Sequence, residues 1–279
     1  MMRSVDGKRV YVADEDNRVV RVLKLPFLEP VRPVEGAASP TPSPSASASA
    51  SAPPPKPVHP HQQSLIEPAP PPPHVDHDEV ALPGPPANLL PLDGRLLVTI
   101  RDPGMLLVLS ERADGGLVEE SRIELPADAW GLAVTKDEST AIVTSAWTHR
   151  ATGIDLLSMK QTWSLEVARE PRGVAIHPST QVAYITHLTG SDLTRIDGVM
   201  SKEATAKAVP FAPAPALTPH GSKLSATLGY ALTFDEDGQR LLVARHAQGG
   251  LGLSRWAGAP TIDVLQVATD LPLLAPRVP

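Results

Sequence analysis

Cysteine is absent from the 279 residues, which removes disulfides, thiolate zinc sites, a cysteine nucleophile and the C-x-x-C-H haem attachment from this chain. The compartment stays open, because exported proteins can also do without disulfides. Aromatic residues make up only 4%, so a core has to be packed from Leu, Val, Ile and Ala. No apolar run reaches the ~18 residues of a membrane-spanning helix, and residues 1–7 carry no apolar stretch of the kind found in signal peptides. Basic charge is not in excess either. Lys and Arg number 25 against 31 Asp and Glu, for a net charge of -6 at pH 7, and the scattered cations form no phosphate-binding face for nucleic acid.

What the sequence does have is a repeat. Residues 133–144 (AVTKDESTAIVT) align without a gap on residues 175–186 (AIHPSTQVAYIT), each 42 positions later, and Gly153-Ile154-Asp155 meets Arg195-Ile196-Asp197 at the same spacing. A fixed period of about 40–45 residues built from short strands is the signature of propeller blades. The repeat extends upstream, where Leu82–Leu90 matches Leu125–Ala133 at a spacing of 43, and downstream, where residues 231–244 follow residues 173–186 at a spacing of 58. The expected fold is all-β: one propeller domain over 1–279, made of four-stranded antiparallel blades. About five are visible, and the sequence leaves open whether the ring is complete. Tyr11 aligns with Tyr184, so the chain is expected to start inside the first strand of a blade. A misplaced coding start, a longer propeller, or a first strand supplied from elsewhere would each account for that.

Two segments interrupt the period. Residues 30–73 are rich in Pro, with an alternating Ser/Ala run at 43–52. They lack the apolar content that offsets ordering entropy and are expected to form a disordered, tether-like insertion. Because residues 75–82 read as the outermost strand of the first blade, the insertion falls between its third and fourth strands. The stretch His74-Val75-Asp76-His77-Asp78-Glu79 could weakly hold a divalent ion, but flexible ligands without support bind metals poorly. The second interruption, over 199–226, is expected to be a long Pro-containing loop. A third stretch, Gln248 to Pro260, reads as a Gly-rich loop.

Val10-Tyr11-Val12-Ala13-Asp14, Ala183-Tyr184-Ile185-Thr186-His187 and the closing Ile154-Asp155 and Ile196-Asp197 resemble the YVTN-type β-propeller repeat. The fourth motif position departs from the usual Asn, being Asp14, Ser145, His187 and Arg245 in turn. The resemblance implies an exported or cell-envelope location. It also implies three classes of role: a non-catalytic binding module, a propeller associated with a c-type cytochrome or peroxidase domain outside this chain, and a lactonase-like hydrolase.

Propeller topology brings the loops leading into first strands, and those between second and third strands, to one funnel-shaped face. The alignment puts Trp130, Arg172 and Tyr230 there from the leading loops. From the inter-strand loops it adds Asp14, Glu15, Arg101, Asp102, Trp147, His149, His187, Arg245 and His246. The ligand-binding face is expected at Trp130, Arg172, Tyr230, Trp147, His149, His187, Arg245 and His246, which can stack, carry charge or hydrogen-bond. A solvated rim of satisfied polar pairs is the plain alternative. His149, His187 and His246 are the only histidines that could combine as a metal set, with Asp14 or Glu15. His220 lies in a loop that could fold over the funnel, whereas His177 belongs to a turn on the opposite face. No nucleophile elbow, phosphate-binding loop or H-E-x-x-H helix is present. The expectation is therefore a non-catalytic module without cofactor or metal that takes a protein, glycan or small ligand on the funnel face.

Overall fold

Strands dominate the computed structural model, which describes residues 1–25, 77–211, 216–217, 223–224, 226–250 and 256–273. The first sheet holds β1 (Met2–Arg3), β2 (Arg9–Asp14), β3 (Val19–Lys24) and β4 (His77–Ala81). The second holds β5 (Pro86–Leu92), β6 (Arg95–Ile100), β7 (Met105–Glu111) and β8 (Leu117–Glu124). The third holds β9 (Ala129–Val134), β10 (Thr140–Ser145), β11 (Arg150–Asp155) and β12 (Lys160–Glu166), and the fourth β13 (Pro171–Ile176), β14 (Val182–His187), β15 (Leu193–Asp197) and β16 (Thr205–Val209). After a short pair, β17 (Ala216–Leu217) and β18 (Lys223–Leu224), the fifth sheet holds β19 (Ala226–Phe234), β20 (Arg240–Gly250), β21 (Trp256–Gln266) and β22 (Leu271–Leu273). Each four-stranded sheet is an antiparallel meander, and no helix occurs among the described residues. This is a β-propeller fold.

Strand β4 pairs with β3 from Val19↔Ala81 to Leu23↔His77, as expected for the outer strand of the first blade. The expected insertion over 30–73 lies outside the described residues, as does His220. Part of 199–226 is not loop, because Thr205–Val209 pairs with β15 as the outer strand of the fourth blade. Nor is the Gly-rich stretch wholly loop. Backbone pairs continue from Arg245↔Thr261 to Gly250↔Trp256, and a ladder needs no particular side chain to extend it.

Successive sheets meet through apolar faces. Tyr11, Val20 and Val22 pack against Leu96, Val98 and Leu107 of the second sheet. Leu97, Leu106 and Val108 meet Ala141, Val143 and Ile154 of the third. Ile142, Ala151 and Trp163 meet Ala183, Ile185 and Ile196 of the fourth, and Tyr184 and Leu193 meet Leu241, Val243 and Leu265 of the fifth. Each strand thus sends alternate residues to opposite neighbours, and both faces are apolar, as for sheets buried on both sides. Burying one such side chain contributes about 1.5–3 kcal/mol.

The innermost strands approach closest. A Cβ on Gly131 would lie 2.0 Å from the Arg172 carbonyl oxygen, so only glycine fits there. A hydroxyl then ties the strands. Thr144 Oγ1 accepts from Gly131 N at 2.9 Å and donates to the Arg172 carbonyl of the next blade at 2.8 Å. Thr99 does the same between Asn88 N and the Trp130 carbonyl. Farther out, Tyr11 donates to Glu111 of the second sheet and Tyr184 to Asp270 of the fifth. Burial and the adjacent carboxylate raise the pKa of both phenols, keeping them protonated donors.

Candidate functional site

The leading loop of the third blade carries Asp128, whose carboxylate is buried, with its backbone held at φ 61. Its N–H donates to the Arg101 carbonyl and its own carbonyl accepts from Ala146 N, so the loop is pinned from both sides. Asp128 Oδ1 accepts from Arg101 Nε at 2.7 Å, and Arg101 Nη1 continues to Glu15 Oε1 at 2.6 Å. Burial works against the Arg101 charge, but the bonds to Asp128 and Glu15 outweigh it and lift its pKa above the ordinary arginine value.

Forty-two residues after Asp128, Glu170 takes the same left-handed backbone, at φ 51, and Arg172 follows as Trp130 follows Asp128. Arg172 Nη2 donates to Glu170 Oε2 at 2.8 Å. The two guanidinium carbons lie over the Trp130 ring, Arg101 at 4.7 Å and Arg172 at 4.2 Å from its centroid. The cluster runs from Glu15 of the first blade through the second and third to Arg172 of the fourth.

The pairing is incomplete where the cluster is most buried. The Arg172 side chain is 10% exposed, and its Nε and Nη1 have no hydrogen-bond partner among the described residues. Asp128 Oδ2 also lacks one, at 3.9 Å from Arg172 Nη1. Leaving such groups unsatisfied costs about 1–3 kcal/mol each. Two donors and one acceptor are thus buried at this point without hydrogen-bond partners among the described residues.

The predicted face separates into parts. Trp130 and Arg172 come together in the cluster, with Arg101 and Glu15 of the wider set. Tyr230 lies beside them, its carbonyl oxygen 2.7 Å from the place of a Gly173 Cβ and its side chain 56% exposed. Trp147 is 64% exposed and His149 half-buried in the loop between β10 and β11. His246 is half-buried on β20.

His187 and Arg245 belong instead to the scaffold. Both occupy the fourth motif position, where side chains fold back onto backbone carbonyls. Ser145 donates to the Pro126 carbonyl, and Arg245 to those of Ser191 and Phe211 and to Asp263 at 2.6 Å. His187 Nδ1 lies 3.1 Å from the Arg169 carbonyl, which can only accept, so that nitrogen carries the proton and Nε2 accepts from Thr194 Oγ1 at 2.8 Å. Burial lowers the His187 pKa and keeps the ring neutral. With both nitrogens engaged, His187 is not disposed to join His149 and His246 around a metal. Asp14 is held at a pKa of about 2 by Asn17 and then Arg21. His177 accepts from Ser179 N and Thr180 N in the opposite-face turn, as expected.

Sequence reasoning missed Asp128 and Glu170, although their equivalence at a spacing of 42, two residues ahead of Trp130 and Arg172, was there to be read. On the opposite face, a cleft of about 430 Å³ between the fourth and fifth sheets is lined by His177, Val182, Arg195, Asp237 and Gln266. Its arginine is already bound to Asp197 and Asp270.

No family model matches the chain, and no curated protein matches it. Solved structures do. Hydrazine synthase of Kuenenia stuttgartiensis is similar with a TM-score of 0.60 at 13% identity, over 95% of this chain and 61% of that one. A 6-phosphogluconolactonase-like protein of Bacteroides uniformis gives 0.59 at 11% identity, over 98% and 68%. A functionally unknown protein of Desulfotomaculum acetoxidans gives 0.56 at 10% identity, over 93% and 73%. The chain thus spans about three fifths of the hydrazine synthase chain, and at these identities the likeness shows the propeller fold alone.

Proposed function

We propose that this chain is a non-catalytic propeller binding module that takes a hydroxyl-rich ligand of the glycan type on its funnel face. The observation that supports the reading is the Arg172–Asp128 pair, in which Arg172 Nε and Nη1 and Asp128 Oδ2 are polar atoms without a hydrogen-bond partner among the described residues. A sugar hydroxyl accepts from the guanidinium and donates to the carboxylate in one contact. Trp147 and Tyr230 are exposed aromatics whose chain neighbours or backbone reach the same loops, Ala146 N donating to the Asp128 carbonyl and the Tyr230 carbonyl approaching Gly173. Two arginines against Asp128, Glu15 and Glu170 leave the cluster with one net negative charge, which favours a neutral ligand over an anion. The resemblance to YVTN-type repeats supports an exported or cell-surface setting, where glycans are at hand.

His187, at that end of the fourth sheet, has both ring nitrogens engaged by the Arg169 carbonyl and Thr194, which supports a structural part for it. A glycan array and a peptide array probed with the wild type and with Arg172→Gln test the reading. Glycan signals that disappear in the variant are expected. Peptide signals alone, or glycan signals indifferent to the substitution, would overturn it.

A further inference from the structure

The cleft on the face opposite the funnel has a filled counterpart inside the molecule. Register along the blades gives the equivalence. Arg195 pairs with Tyr184 on one side and Lys207 on the other, as Gly153 pairs with Ile142 and Trp163 one blade earlier. In the turns, the Gln181 carbonyl accepts from Gly198 N and Val199 N, and the Gln239 carbonyl accepts from Val267 N. The pairs Val182↔Asp197 and Arg240↔Gln266 align these turns, so Ala268 stands for Val199. Arg195, Gln239, Val267 and Ala268 of the cleft are thus the counterparts of Gly153, Gln181, Gly198 and Val199.

Between the third and fourth sheets that space holds an indole. A Cβ on Gly153 would run into the Trp163 ring, so the ring rests on bare backbone. Trp163 Nε1 donates to the Val199 carbonyl at 2.8 Å, and the two residues are 6% and 0% exposed. Between the fourth and fifth sheets the same outer-strand position is Lys207, whose ammonium lies 3.4 Å from Asp270 and 3.9 Å from Asp197. An ammonium group thus replaces the indole, Ala268 is exposed, and the cleft of about 430 Å³ opens at the same level.

The cleft walls suit an aromatic group that carries one donor. Half-buried Val182 and Val267 supply apolar surface. The His177 ring stands edge-on to Phe234 at 5.1 Å while its Nδ1 accepts from Ser179 N and Thr180 N, so this wall is fixed in advance. The Arg195 guanidinium, anchored to Asp197 and Asp270, offers a planar cation on which a ring can stack. Those two carboxylates balance Arg195 and Lys207, and the exposed Asp237 then disfavours an anion. Exposed Thr180, Gln239 and Gln266 add a hydroxyl and two carboxamides at the opening, groups that pair with peptide N–H and C=O.

We infer that this cleft receives a tryptophan side chain from a partner protein, its indole N–H donating to the Ala268 carbonyl as Trp163 donates to that of Val199. The site lies on the face away from the Arg172–Asp128 pair, and neither reading depends on the other.

Nitrogen-15 amide NMR spectra recorded while N-acetyl-tryptophanamide is titrated into the protein test this. Saturable shifts are expected at Val182, Val267 and Ala268, in the wild type and equally in Arg172→Gln. The 1-methylindole analogue has no ring N–H and is expected to bind about tenfold more weakly, because it leaves a carbonyl unpaired. Lys207→Trp, which copies the third blade, should no longer respond to the probe at these residues, whereas Lys207→Met should bind like the wild type. In the wild type alone, shifts that avoid these three residues, or equal affinity for the 1-methyl analogue, would overturn the inference whether or not the variants fold. A Lys207→Trp protein that is folded by circular dichroism and still binds the probe like the wild type would also overturn it. Free indole binding as tightly as N-acetyl-tryptophanamide would overturn the protein partner, marking a site for a small indole instead.

Discussion

Replacing Thr144 with Val keeps the shape of a fully buried side chain and removes one hydroxyl. That hydroxyl accepts from Gly131 N at 2.9 Å and donates to the Arg172 carbonyl at 2.8 Å. Both backbone groups sit where the strands are too close for water, as the 2.0 Å approach of a Gly131 Cβ to that same carbonyl shows. Each group left unpaired costs about 1–3 kcal/mol, so a loss of about 3 kcal/mol is expected. For a domain of this size that corresponds to a Tm lower by about 6–12 °C. Thr144→Ser keeps the hydroxyl and loses one methyl, worth about 1 kcal/mol. Thermal melts by circular dichroism rank wild type above Ser above Val. A Val variant as stable as the wild type, or a Ser variant as damaged as Val, would refute the idea that this hydroxyl ties neighbouring blades.

Other expectations rest on the same frame. Tyr184→Phe and Tyr11→Phe each remove a bond to the next blade's carboxylate and should cost about 1 kcal/mol apiece in urea unfolding. The two latches lie at different interfaces, so the double variant should show the sum. Gly131→Ala drives a methyl into the Arg172 carbonyl and should cost at least about 1–3 kcal/mol, weakening ligand binding as well because Arg172 is displaced. His187 has a folded pKa below its ordinary 6.5, so between those two values the unfolded chain binds more protons. Stability should fall as pH drops below about 6.5. Urea midpoints measured across that range for the wild type and His187→Gln should show the dependence weakened in the variant.

Much of the fold was legible because blades repeat. The spacing of 42 aligned Ala133 with Ala175 and Ile142 with Tyr184, and strand alternation did the rest. The Ala/Gly positions and the outer strand near Val75–Leu82 followed from that alignment alone. The site was less legible, because burial at the motif's fourth position is decided by partners far along the chain. Nothing near His187 in sequence announces that Arg169 and Thr194 will take its two nitrogens, and Arg245 finds Asp263 on the next strand and the Phe211 carbonyl in a distant loop. Asp128 reads as a polar loop residue until Arg101 and Arg172 arrive from the neighbouring blades to neutralise it. Arg101 and Glu15 do meet beside Asp128, because loop direction, unlike burial, follows from strand order.

We propose that the ligand binds at the Arg172–Asp128 pair on the funnel face and not in the opposite-face cleft. Titration calorimetry with the strongest array-identified glycan, on wild type, Arg172→Gln and Asp237→Ala, addresses it most directly. Binding is expected to be lost in Arg172→Gln and unchanged in Asp237→Ala, which alters only the cleft lining. Binding that survives Arg172→Gln and disappears in Asp237→Ala would contradict it.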